Sequence, residues 1–233
     1  MSEAKLTEVV VVGRDLPLWL AACVVQSALG ASGITVTAVE LPSRLQDEDI
    51  AVALPALEAL HHLLRIDEAT LLAKTHGAFS LGQNFVDAAD KRSPFFHAYG
   101  SYGTPIDHKP FFAHWVLARR FGLNVTLEDF SLTAAAAKHG RMLVPDAATD
   151  AYGRADYGYH VPALAYASLL KQLAIHRGVK PLQANAVRCE LDSQRGDLAA
   201  LHLDGERRVQ GELFIDASGD EALLLGAALG VPR

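Results

Sequence analysis

Three short segments place groups suited to cofactor chemistry at the ends of apolar runs. The first is Gly13-Arg14-Asp15-Leu16-Pro17-Leu18-Trp19, which follows Glu8-Val9-Val10-Val11-Val12. A dinucleotide-binding turn between a first strand and its helix reads G-x-G-x-x-G. The first glycine makes the tight turn, the second lets backbone approach a pyrophosphate, and the third lets helix and strand pack closely. Gly13 keeps the first position, whereas Asp15 stands at the second and Leu18 at the third. A carboxylate repels a pyrophosphate and a Cβ blocks close approach; Arg14 carries a charge that would offset the repulsion. The second segment, residues 34–40, ends on Glu40. An acidic residue there accepts hydrogen bonds from ribose hydroxyls, or is simply a solvated carboxylate at a strand end. In the third, Leu213-Phe214-Ile215 runs into Asp216-Ala217-Ser218-Gly219-Asp220. Amides at the start of a following helix could face a ribityl or phosphate group, or Ser218 or Asp220 could cap that helix.

Other reactive side chains form no recognisable constellation. The chain has ten histidines, but His61 and His62 are adjacent and point to different faces of a helix. His108 and His114 have no partner at metal-ligand spacing, so no metal site is expected. His97 and His160 read as hydrogen-bonding core residues. Ser80 has no G-x-S-x-G elbow around it, which argues against a hydrolase nucleophile. Phe95, Phe96, Tyr99, Tyr102, Phe111, Phe112 and Trp115 cluster in one stretch, as a packed core under a loop or as the wall of an aromatic pocket.

The elements that must position these groups follow from the pattern. Residues 8–13 are a continuous β-branched run ending in glycine, as in a strand buried on both faces of a parallel sheet. A helix over 17–30, with Pro17 in its first turn and Gly30 at its end, and a strand over 34–40 complete a βαβ unit. Helices are expected near 54–65, 67–74, 110–122 and 127–138, a strand over 77–86, a structured loop over 93–110 and turns over 145–160. A helix over 161–178 ends at Gly178. Three strands then alternate with the hairpin turns Arg195-Gly196-Asp197 and Asp204-Gly205-Glu206, the last strand running from Arg207 into Gly219 and on to a helix. Residues 8–13, 34–40 and 212–216 are expected in one parallel sheet whose carboxyl ends face one crevice.

Composition narrows the class. Of 233 residues, 50% are hydrophobic and 21% charged, which excludes disorder. The net charge of −6, with basic pairs only at Lys91-Arg92, Arg119-Arg120 and Arg207-Arg208, argues against nucleic acid or an anionic membrane as partner. No uninterrupted apolar run reaches the roughly 18 residues of a membrane span, and no signal peptide is read at the N-terminus. Cys23 and Cys189 lie far apart in apolar segments and read as buried thiols in a reducing cytoplasm.

Five segments, in order and spacing, resemble the flavin-dependent tryptophan halogenase family. Residues 9–19 resemble its opening strand and turn, which reads V-G-G-G-T-A-G-W, and residues 77–85 resemble its glycine, small residue and aromatic stretch. Residues 95–103 resemble its Phe-aromatic-His loop, residues 157–180 its Tyr/Trp-x-His helix ending in Arg-Gly-Val, and residues 213–219 its Leu-Phe-Ile-Asp-Cys-Ser-Gly loop. The resemblance implies an α/β, Rossmann-like FAD/NAD(P)-binding fold of the flavin monooxygenase type with a β-meander and inserted helices. Residues 1–233 would be a single FAD-binding-type domain, with an inserted helical and loop layer at about 50–160. It further implies FAD as cofactor, with Gly13, Arg14, Glu40, Asp216 and Gly219 as cofactor-binding residues, a small aromatic substrate and a flavin reductase as partner. In the family, reduced flavin and oxygen convert halide to hypohalous acid, which reaches a lysine beside the substrate.

Three departures from the family pattern bear on chemistry. Ser80 stands at the family's catalytic lysine position, where a hydroxyl forms no stable haloamine and carries no charge; Lys74 lies one helix away and does not replace it. The Gly-Glu-Ala-Thr stretch corresponds to Ile50-Ala51-Val52-Ala53-Leu54-Pro55, without polar groups. The Trp-x-Trp-x-Ile-Pro segment and the region supplying an assisting carboxylate are not found. Two readings follow: a divergent halogenase-like enzyme of the monooxygenase class impaired in the lysine route, or a non-catalytic binding relative or truncated remnant.

Overall fold

The structure, a computed structural model, describes residues 6–89, 91, 93–142 and 155–231. In chain order its elements are β1 (Glu8–Gly13), α1 (Asp15–Leu29), β2 (Thr35–Glu40), β3 (Ile50–Ala53), α2 (Ala56–Leu63), α3 (Glu68–Thr75), β4 (Ala78–Ser80), β5 (Gly82–Phe85), β6 (Phe95–Ala98), α4 (Phe111–Arg120), α5 (Leu132–Lys138), β7 (Gly158–Pro162), α6 (Ala163–His176), β8 (Lys180–Gln183), β9 (Arg188–Leu191), β10 (Leu198–His202), β11 (Arg208–Gln210) and β12 (Leu213–Ala217). They form two compact units. The first comprises Met1–Ile50, Leu64–His76 and Pro162–Arg233; the second comprises Ala51–Leu63 and Gly77–Val161.

The first unit is built on a parallel sheet of order β12-β1-β2-β8. β1 is its buried centre: Val9 to Val12 pair with Val36 to Val39 on one side and with Leu213 to Asp216 on the other. This places the three expected strands in one sheet. The fourth, β8, is a strand that the residue pattern does not announce: Lys180-Pro181 opens it and proline supplies no ladder donor. An edge position tolerates that loss. Along β1, side chains alternate between faces. Val10 and Val12 pack with Leu201, Leu203 and Leu224, and the antiparallel meander β9-β10-β11 contributes to this core. Helices α1 and α6 pack together on the sheet, burying Leu18, Trp19 and Leu170.

Several boundaries differ from the sequence expectation. The run from Arg207 to Gly219 is two strands, not one. β11 pairs with the meander and β12 with β1, and the chain changes sheet at Gly211, where a Cβ would meet the Val10 side chain at 2.8 Å. Among the described residues no α-helix follows β12; a 3-10 turn, Gly219–Glu221, leads into a π-helical segment, Leu223–Ala228. Helix α1 continues through a 3-10 turn, so its left-handed terminus is Gly33 at φ 78°, while Gly30 stays right-handed. Gly178 does close α6, at φ 100°. Cys23 is buried, but Cys189 is only half-buried. The helix Asp15–Ser32 is long and apolar enough to cross a membrane by length and composition; four of its residues, Leu18, Trp19, Ala22 and Cys23, are buried in this fold.

The second unit holds a sheet of order β3-β7-β4 and a two-stranded pair β5-β6. The strand expected over 77–86 is therefore split at Leu81 between two sheets, and the expected loop over 93–110 contains β6. The helix expected over 127–138 is a 3-10 turn, Leu127–Phe130, and then α5, separated by Ser131, whose hydroxyl caps the Ala134 amide at 3.2 Å. Of the turn-rich stretch 145–160, residues 145–154 lie outside the described residues, and β7 occupies the end of the remainder.

Candidate functional site

The carboxyl ends of β1, β2 and β12 carry the residues singled out in the sequence. Gly13 is required by its neighbour: a Cβ there would lie 2.1 Å from the Ala217 carbonyl oxygen, so only glycine lets β1 end this close to β12. Asp15 keeps the left-handed backbone that a glycine would supply, at φ 54°. Its Oδ2 accepts a hydrogen bond from the Arg44 amide at 3.1 Å. Leu18, at the third glycine position, is fully buried.

Arg14 sits between them in extended conformation, with its side chain only 14% exposed. Its Nη2 lies 2.9 Å from Glu221 Oε2, while Nε and Nη1 are buried without a hydrogen-bond partner. Buried guanidinium donors left unpaired are costly and rare. Glu221 also pairs with Arg44.

Glu40 does not stand free at its strand end. Its Oε1 accepts from Trp19 Nε1 at 3.3 Å, and its Oε2 from Lys171 Nζ at 2.6 Å and Gln183 Nε2 at 3.5 Å. The Lys171 ammonium also lies over the Trp19 ring, 5.3 Å from its centre. Beside Glu40 is a polar cavity of about 460 Å³, lined also by Ser43, Gln183, Asn185, Asp204 and Arg207.

Asp216 is committed to its own loop. Oδ1 accepts from the Ser218 hydroxyl at 2.5 Å and amide at 3.0 Å, and Oδ2 from the Leu224 and Leu225 amides at 2.7 and 3.3 Å. Burial opposes its charge, but these four hydrogen bonds outweigh it and hold the carboxyl below its ordinary range. Ser218 in turn accepts from the Leu223 amide at 3.0 Å. Asp216 and Ser218 together cap the π-helical segment, whereas Asp220 has an exposed position. Gly219, at φ 69°, is exposed, with nothing within 4 Å of where a Cβ would stand.

Ser80 belongs to the second unit. It is 5% exposed, donates weakly to the Gly82 carbonyl at 3.3 Å, and lines a cavity of about 400 Å³ with Phe79, Phe96, Arg141, Met142 and His160. His97 and His160 are both exposed and are not the core histidines expected; that place belongs to His61, 5% exposed, whose ring centre is 6.0 Å from that of Tyr159. Phe95, Phe96, Tyr102 and Trp115 line a second cavity of about 630 Å³, while Phe111 packs against Phe130 and Tyr99 is buried. Among the described residues no group of three or more His, Cys, Asp or Glu side chains could hold a metal.

Sequence reasoning missed Lys171, Arg44 and Glu221. Lys171 lies 131 residues from Glu40, and Arg44 lies 177 from Glu221. No local pattern announces such pairs.

A parallel sheet with a β-α-β start, a glycine-closed first turn and an acid at the end of the second strand defines a Rossmann-like α/β protein. The chain belongs to the tryptophan halogenase family, whose profile matches residues 8–233. It is 26% identical to the tryptophan 7-halogenase KtzQ of Kutzneria sp. (strain 744), aligning over 100% of this chain and 46% of that protein. Among solved structures, it resembles a flavin-dependent halogenase from Xanthomonas campestris with a TM-score of 0.88 and 31% identity, covering 98% of this chain and 45% of the other. The flavin-dependent halogenase BrvH from Brevundimonas sp. BAL3 gives 0.87 and 28%, with the same coverage. The chain therefore spans about half the length of these relatives.

Three features at these strand ends are of the kind that a diphosphate and a ribose call for. Arg14 offers two buried, unpartnered donors, Gly219 leaves open space, and Glu40 borders a polar cavity.

Proposed function

We propose that the first unit binds FAD and that the chain is a divergent flavin-dependent halogenase-like protein of the monooxygenase class acting on a small aromatic substrate. The observation that carries this reading is Arg14: a guanidinium beside the glycine-closed turn with two buried donors that no group among the described residues satisfies. In this reading Arg14 binds the diphosphate, Glu40 accepts from a ribose hydroxyl while Lys171 and Trp19 fix its orientation, and Gly219 keeps the approach open. Asp216 acts through the loop it caps. Residues from about 50 to 160 enter as an inserted layer carrying Ser80. Bound flavin would supply the redox chemistry, and a flavin reductase would deliver it reduced.

Ser80 sets the limit on that chemistry. Its hydroxyl offers one weak donor and no amine, so halogenation by a lysine route is impaired. A second reading, a binding protein without catalysis, is favoured by Ser80 together with Asp15 and Leu18 at the close-approach positions. Flavin absorbance separates the two. The purified chain, incubated with FAD and desalted, is expected to retain flavin absorbing at about 450 nm at less than full occupancy. Absence of bound flavin at any concentration would leave only the second reading.

A further inference from the structure

Arg14 and Arg44 approach each other from separate loops because one carboxylate joins them. Glu221 Oε2 lies 2.9 Å from Arg14 Nη2, and its Oε1 pairs with Arg44 Nη2. The turn that supplies Glu221 lies between two left-handed residues, Gly219 at φ 69° and Ala222 at φ 44°. For Ala222 that conformation is strained. On the other side of Arg44, its amide donates to Asp15. Two guanidiniums thus meet one carboxylate, with the Asp15 carboxylate held at the Arg44 backbone beside them.

This pairing is incomplete. A guanidinium has five N–H donors in a planar fork suited to bidentate phosphate binding. Glu221 uses Nη2 of Arg14 and leaves Nε and Nη1 buried and unpaired, while the Arg44 side chain is 66% exposed. A diphosphate has more acceptor oxygens and more charge than one carboxylate, so it can satisfy donors that Glu221 cannot.

We propose that Arg14 and Arg44 form a diphosphate-binding pair that Glu221 occupies as an internal carboxylate ligand, so that a nucleotide diphosphate enters by displacing Glu221. Affinity is then set by an exchange of partners and not by the glycine positions alone. The proposal rests on the reading of this crevice as a dinucleotide site, and inorganic pyrophosphate tests the two separately.

The 233-residue chain is titrated with pyrophosphate by calorimetry and with FAD by flavin fluorescence. The variants are Glu221→Gln, Asp220→Asn and Glu221→Gln combined with Arg14→Gln, with thermal melts to verify folding; Glu221→Ala replaces Glu221→Gln if the latter does not fold. Glu221→Gln is expected to bind pyrophosphate about tenfold more tightly than the parent. Asp220→Asn removes the same charge one residue away and is expected to change affinity by less than about twofold. Adding Arg14→Gln abolishes the gain. No gain in Glu221→Gln, or an equal gain in Asp220→Asn, overturns the proposal. Equal FAD affinity in the parent and Glu221→Gln overturns it too, while leaving FAD binding intact. The expected pyrophosphate order with no FAD binding in any variant supports the diphosphate pair and refutes the flavin reading.

Discussion

At the scale of residues, position and conformation have separated from residue type. Asp15 occupies a glycine's backbone conformation at φ 54°, so the turn survives without its glycine. Aspartate tolerates this region better than most residues, and the exchange Asp15→Gly is expected to leave stability within about 1 kcal/mol, since strain relief opposes lost backbone restriction. Flavin affinity should rise as the carboxylate leaves. Leu18→Gly behaves differently. Leu18 is 0% exposed in the core beneath α1, so its loss is expected to cost about 4 kcal/mol through the cavity and the helix glycine. Thermal melts of the two single variants test this contrast; equal stability would show that the packing around Leu18 relaxes. Gly13→Ala sets the opposite limit. Its Cβ would lie 2.1 Å from a backbone carbonyl that cannot swing aside, and a loss of about 2 kcal/mol or more is expected in urea unfolding. The identity of Gly13 was legible from sequence because a local turn dictates it. The pairing of Arg14 with Glu221 was not, because Glu221 lies more than two hundred residues further along the chain.

At the scale of elements, what could be read followed the range of the forces that make each one. β1 and β2 were legible because a β-branched run needs no partner to identify it. β6 falls inside the stretch whose pattern predicts a loop because its four residues, Phe95 to Ala98, owe their extension to pairing with β5. β8 owes its place to β2 in the same way. The segment after β12 gives the next prediction. Its first amides are held by Asp216 and Ser218, and the Asp216 carboxyl is held below its ordinary range because hydrogen bonds from Ser218, Leu224 and Leu225 outweigh burial. A carboxyl whose folded pKa is depressed stabilises the fold above its unfolded pKa, near about 4, and loses that contribution as pH falls through the folded value. Asp216→Asn should therefore melt below the parent at pH 7, and the gap should narrow as pH drops below about 4. A gap that stays constant down to acid unfolding would mean that the charge of Asp216 is not what holds the loop.

At the scale of the whole molecule, the two units hold the two candidate sites, Arg14 with its unpaired donors in the first and the cavity around Ser80 in the second. Family membership was legible because five segments keep their order along the chain. The ion pairs at the candidate site were not, since Glu40 with Lys171 and Arg14 with Glu221 exist only once the sheet has formed. Supplied with reduced flavin, oxygen, chloride or bromide and free tryptophan, the 233-residue chain is expected to give no regioselective halogenated product. A hydroxyl at Ser80 can share one hydrogen bond with hypohalous acid, but it has no ammonium charge to strengthen that bond or orient the electrophile. Ser80→Lys alone should not restore the reaction. The new ammonium would share its cavity with Arg141, whose like charge opposes protonation. The first unit would still hold Asp15 and Glu221 around the diphosphate donors. Product is read by mass against a control with hypohalous acid added free in solution. Regioselective product above that control from the unmodified chain would mean that Ser80 or a neighbour orients the electrophile without an amine. Product from Ser80→Lys alone would mean that the crevice as it stands already accepts the cofactor.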